Sequence, residues 1–120
     1  FEKERESTSK YPLSLVLCKD CSLVQLKHTV PQSLLYTDSY GYKSGINQTM
    51  RNELKGIAEE SLEKIKDFRF KKTVALDIGA NDGTLLSFYP KHVFKVAIEP
   101  IKKFAFESKK YADWLIISSS

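Results

Sequence analysis

Asp77, Gly79, Asn81 and Gly83 alternate through the stretch VALDIGANDGTLLSFY, Val74 to Tyr89, between one apolar run and the next. Residues of these types in this order read as a buried strand, a tight turn and the opening of a helix. The carboxyl end of a parallel strand faces the ligand crevice of an open α/β sheet. The helix that follows offers unpaired N–H groups at the same place. Gly79 lets the chain turn sharply and lets a ligand come close to the backbone. Asn81 tolerates a left-handed conformation better than most residues, and Gly83 permits close packing at the helix entrance. Glu99 ends a second apolar run, FKVAIEP. Nucleotide-binding sheets place an acid there to accept ribose hydroxyls. The bland alternatives are an ordinary strand-to-helix turn and a surface glutamate.

Two ligand classes use such a turn. A dinucleotide turn, G-x-G-x-x-G, puts pyrophosphate on the helix N-terminus. Counted from Gly79, it needs glycine at position 81 and glycine or alanine at 84, where the chain has Asn81 and Thr84. An S-adenosylmethionine turn is similar to D/E-x-G-x-G-x-G, and here only Asn81 departs from it. Asp77 and Asp82 would repel a pyrophosphate but suit a sulfonium ligand that carries an ammonium group. The spacing therefore favours S-adenosylmethionine over NAD.

A second group of reactive residues is Cys18 and Cys21, in CKDC. Placed on a hairpin tip, C-x-x-C is half of a zinc knuckle, since structural zinc takes four ligands in a tetrahedron. His28 is the nearest local third ligand, at a spacing that is not a standard one, and His92 lies far along the chain. Two reduced cysteines without metal are the alternative reading. A redox C-x-x-C needs a helix start, and no helical pattern follows Cys18. Two cysteines do not suggest a disulfide framework.

The elements that must position these residues follow from periodicity. YPLSLVLC, Tyr11 to Cys18, alternates at Leu13, Leu15 and Leu17, and SLVQLKHTV returns from it with Leu23 and Leu26 inward, making a hairpin. VPQSLLYTDSYGYKSG, Val30 to Gly45, is a turn-rich loop with three tyrosines and one helical turn at 31–35. Ile46, Met50, Leu54, Ile57, Ala58, Leu62 and Ile65 share a helical face, with Ser44 or Asn47 as cap and an end near Lys66. From Thr73 the pattern is strand, helix, strand, helix, strand, the last being WLIIS at Trp114 to Ser118. Such a pattern implies a parallel sheet covered on both faces. The expected organisation is a hairpin and Tyr-rich region at 1–45, an amphipathic helix at 46–70 and a partial Rossmann-like unit at 71–120.

The 120 residues are 42% hydrophobic and 28% charged, with net charge +4. One modest globular domain with a core is the expected class. Nucleic-acid binding is a weak reading on so mild and dispersed a charge. No run approaches the ~18 apolar residues of a membrane span. FEKERESTSK has no signal core and no initiator methionine, so the chain reads as cytoplasmic and as a piece of something longer. Its oligomeric state is left open.

YPLSLVLCKDCSLVQL, YGYKSG, LDIGANDGTLL and IEP together resemble the sugar C-methyltransferases. The resemblance runs from Tyr11 onward, and its specific parts are CxxCxLVQL and IGxNDGTLL. It implies an N-terminal zinc-binding region joined to a class I methyltransferase domain. The implied reaction is S-adenosylmethionine-dependent methylation of a carbon in a nucleotide-linked sugar. Asparagine is common in that family where Asn81 stands. The family's zinc region has a second C-x-x-C upstream, which this chain lacks, leaving Cys18 and Cys21 as the implied metal ligands. Asp77, Gly79, Asn81 and Gly83 would line the methionine side of the cofactor. Glu99 would hold the ribose, and Pro100 and Ile101 would flank the adenine. A tyrosine matching Tyr40 or Tyr42 would lie near the reacting centre, Tyr42 being preferred. The family's catalytic base falls in sequence beyond this chain, so the polypeptide alone is expected to be inactive or nearly so. A non-catalytic zinc- or partner-binding module with a residual nucleotide fold is the competing reading.

Overall fold

The computed structural model describes residues 10–37, 39–66 and 72–117. The chain divides into two compact units, Phe1–Leu35 and Tyr36–Ser120. The Tyr-rich segment, grouped with the hairpin on sequence, thus falls mostly in the second unit. The expected loose N-terminus lies largely outside the described residues, as does most of the DFRFKK link.

The first unit holds β1 (Leu15–Leu17), β2 (Val24–Leu26) and a single helical turn, α1 (Gln32–Leu35). β1 and β2 pair antiparallel, Leu15 opposite Leu26 and Leu17 opposite Val24. That register puts Leu15, Leu17, Val24 and Leu26 on one face. Val24 takes the place expected of Leu23. None of these side chains is inward: Leu15 is 70% exposed, and Leu13, Leu17, Leu23, Val24 and Leu26 are exposed too. The alternation specifies an apolar face, but no described residue of this unit is buried and no second layer covers it.

The second unit begins its helical layer with α2 (Gln48–Ile65). Asn47 is its cap, its side chain accepting the N–H groups of Thr49 and Met50. Of the expected apolar stripe, Ala58 is fully buried, Met50, Leu54, Leu62 and Ile65 are half-buried, and Ile46 and Ile57 are exposed. Three strands follow, β3 (Val74–Ile78), β4 (Phe94–Ile98) and β5 (Trp114–Ile116), linked by α3 (Thr84–Ser87) and α4 (Lys102–Ser108). They form a parallel sheet in the order β3-β4-β5. Ser118, expected in the last strand, lies outside the described residues.

One face of this sheet is closed. Ala97 packs with Ala80 and Leu86 in the core, flanked by Ala75, Tyr89, Ala112 and Leu115. The other face carries Val74, Leu76, Ile78, Phe94, Val96, Ile98, Trp114 and Ile116 in register, and Ile78 is 74% exposed. Cover on both faces was expected and is absent among the described residues. The reason is topological. Two crossovers of the same hand that advance in the same direction put both helices on the same side.

Candidate functional site

The glycine turn sits where β3 ends. Gly79 and Ala80 both donate their N–H groups to the Ile98 carbonyl, at 2.8 and 3.1 Å, so the turn is tied to the end of β4. Gly79, Asn81 and Gly83 all have positive φ, at 80°, 49° and 79°. A run of left-handed residues is costly for side chains other than glycine and asparagine, which explains the composition of the turn. The two glycines then part company. A Cβ on Gly79 would meet nothing within 4 Å, whereas one on Gly83 would lie 2.7 Å from the Ser108 Cα. Gly79 is open to a ligand, and Gly83 is closed by α4.

The helix after the turn is short. α3 has four residues, with no side-chain cap from Gly83. A single turn carries little macrodipole, so the expected helix-terminal field is weak here. Asp82 serves the turn instead. Its Oδ1 accepts the Thr84 N–H at 3.1 Å and the Thr84 hydroxyl at 2.6 Å, and its Oδ2 accepts the Gly45 N–H at 2.9 Å. With its carboxylate buried and so engaged, Asp82 is a structural group, not the ligand-facing charge its sequence position suggested.

Glu99 is 4% exposed. One carboxylate oxygen accepts the Asn81 N–H at 2.7 Å, and the other accepts the Ile101 N–H at 2.9 Å. The acid therefore bridges the ends of β3 and β4. Asp77 stands on β3 with its carboxyl held above the usual carboxylate range, chiefly by burial and then by the charge of Glu99.

A cavity of about 360 Å³ opens beside this bridge, lined by Tyr36, Tyr40, Ile78, Gly79, Asn81, Glu99, Pro100 and Ile101. Five of the expected ligand residues, Gly79, Asn81, Glu99, Pro100 and Ile101, are thereby brought together. Asp77 and Gly83 are outside the lining. Tyr42, the expected reacting-centre tyrosine, is 47% exposed and also outside it. Its neighbour Tyr40 is a wall instead, set edge-on to Phe104 with ring centroids 6.3 Å apart. Tyr36, which the sequence reading did not single out, lies 5.9 Å from Tyr40 and forms a further wall. No periodic signal marks it, because the helical turn ends at Leu35 before either tyrosine.

At the hairpin, the Cys18 N–H donates to the Leu23 carbonyl and the Ser22 N–H returns to Cys18. Backbone donors at Cys21 and Asp20, with the Cys21 thiol, pull the Cys18 thiol below its ordinary value. Cys21 is exposed, and both cysteines are free. They supply two of the four ligands a tetrahedral zinc needs. Among the described residues no three His, Cys, Asp or Glu side chains gather closely enough to hold a metal. No helix among them is long and apolar enough to cross a membrane.

Residues 1–36 match a methyltransferase-associated family model described as "Putative zinc binding domain". No curated protein matches the chain.

Proposed function

We propose that the chain is part of an S-adenosylmethionine-dependent methyltransferase that acts on a carbon of a nucleotide-linked sugar. The observation that carries this reading is the Glu99 bridge beneath an open Gly79. A buried carboxylate joins two strand ends at the mouth of a largely apolar cavity, beside a glycine whose missing Cβ leaves room. The set fits a nucleoside with a cationic arm. Glu99 retains lone pairs for ribose hydroxyls, since each oxygen takes one backbone bond. Pro100 and Ile101 offer apolar contact to a base. Asp77 and Glu99 raise each other's energy when both are charged, and a positive ligand would relieve that repulsion.

The bound cofactor would supply an electrophilic methyl group. The chain's residues would orient it, with Gly79 admitting the arm beside the backbone and Tyr40 and Tyr36 shielding the cavity from water. Holding both reactants at near-attack distance is the larger part of such catalysis. The matched zinc-binding region at 1–36 supports a methyltransferase context for the hairpin, and also favours a second reading, a zinc- or partner-binding module without catalysis.

Calorimetric titration of the folded chain with S-adenosylhomocysteine, with NADH as control, tests the proposal. Saturable binding of S-adenosylhomocysteine is expected, weakened at least tenfold in Glu99→Ala, as loss of about 1.4 kcal/mol of charge-assisted hydrogen bonding predicts. Preference for NADH would sink it. Stoichiometric zinc uptake without either nucleotide would leave the second reading.

A further inference from the structure

The segment before α2 is tied to the glycine turn by the turn's own side chains. Asn81 Oδ1 accepts the Ser44 N–H at 3.0 Å, and Asn81 Nδ2 donates to the Tyr42 carbonyl oxygen at 3.0 Å. Asp82 takes the Gly45 N–H, and Lys43 pairs with Glu107 at 2.5 Å. The approach is close: a Cβ on Gly45 would lie 2.6 Å from both Asp82 Oδ2 and Thr84 Oγ1. Tyr40, on the same segment, is a wall of the cavity.

Asparagine presents one acceptor and one donor from a single planar group, which is what a passing backbone N–H and C=O require. Glycine offers neither, and aspartate offers no donor. Both polar atoms of the Asn81 side chain bond to residues 42–44, while its backbone N–H bonds to Glu99.

We infer that Asn81 is a positioning residue whose side-chain amide docks the Tyr40–Gly45 strap and so sets the aromatic wall of the cofactor cavity. This rests on the methyltransferase reading for the identity of the ligand, and on the hydrogen bonds alone for the docking. It also accounts for the departure from glycine at this position. A third glycine would satisfy the positive φ but remove the strap's bonds at Ser44 N–H and the Tyr42 carbonyl.

The test uses the full chain and three variants, Asn81→Gly, Asn81→Asp and Gly45→Ala. Glycine suits the backbone at position 81 and aspartate tolerates it, so both variants keep the turn. Gly45→Ala disturbs the strap without touching the turn's backbone. Two readouts are taken: amide hydrogen exchange at Ser44, and S-adenosylhomocysteine affinity. Exchange at Ser44 is expected to quicken at least tenfold in Asn81→Gly, and affinity to fall about tenfold, as when the competent conformer drops to about a tenth of the population. Asn81→Asp, lacking the donor to Tyr42, should weaken binding too, and Gly45→Ala should follow the same pattern. Unchanged Ser44 exchange in both Asn81 variants overturns the docking. Faster exchange with undiminished affinity overturns the positioning role. Should the wild-type chain bind no S-adenosylhomocysteine while exchange still quickens, the ligand reading falls and the docking stands.

Discussion

The β1–β2 hairpin and the β3–β5 sheet are built from the same kinds of apolar, alternating residues, and they end in different environments. Leu15 and Leu17 stand in the open, while Ala97 and Leu86 have no exposed surface. The difference lies in what crosses between strands. The hairpin's connection is residues 18–23, which hold Cys18 and Cys21 and bring no side chains to cover a face. Each crossover in the sheet brings a helix. A two-stranded hairpin is marginal in water by itself. The hydrogen bonds around Cys18 order its tip, and metal on that tip would add folding free energy that apolar burial does not supply. The same contrast recurs inside the sheet, whose helix-covered face is a core and whose other face is exposed.

The largest expected effect is at the joint between turn and helix. Gly83→Ala forces a Cβ to 2.7 Å from the Ser108 backbone at a φ of 79°. Left-handed strain and overpacking together should cost the sheet unit about 3 to 4 kcal/mol, read from its urea midpoint. A neutral result would mean that α4 does not close on the turn.

Next comes a matched pair of leucines. Leu86→Ala, in the core, should cost about 3 kcal/mol. Leu76→Ala, on the open face, should cost about 1 kcal/mol or less. Equal losses would break the contrast between the faces, because they would show that Leu76 is covered in solution.

The smallest effect is electrostatic and depends on pH. Burial and Glu99 raise the Asp77 pKa in the folded state. The charged form therefore opposes folding at neutral pH. Protonation relieves this as pH falls through the raised value, and the penalty is gone below the unfolded value of about 3.9. Asp77→Asn should melt higher than the wild type at pH 7, and the two melting curves should converge as pH drops past that point. A lower melting temperature at pH 7 would show that the carboxylate makes a stabilising contact.

Much of this architecture is legible locally. The helix α2 follows from its 3.6-residue period and an asparagine cap, and the parallel strands follow from short apolar runs separated by helical patterns. Gly79 and Glu99 follow from their places at strand ends. Other assignments depend on partners distant in sequence. Asp82 looks like a free charge until Gly45, 37 residues away, donates to it. Gly83 looks like its neighbour Gly79 until α4 is seen against it. Tyr42 and Tyr40 are indistinguishable in a loop of tyrosines, and only the docking of that loop onto Asn81 selects which ring enters the cavity wall.

Backbone conformation and local pattern are properties of a few adjacent residues, so the sequence by itself determined the turn, its positive-φ residues, the order of strands and helices, and the C-x-x-C hairpin tip. Burial, charge partners and cavity walls are relations between segments that fold together. Only the tertiary structure decided that Glu99 bridges two strands, that Asp82 is satisfied internally, that Asn81 spends its side chain on a strap, and that one face of the sheet is covered while the other is exposed.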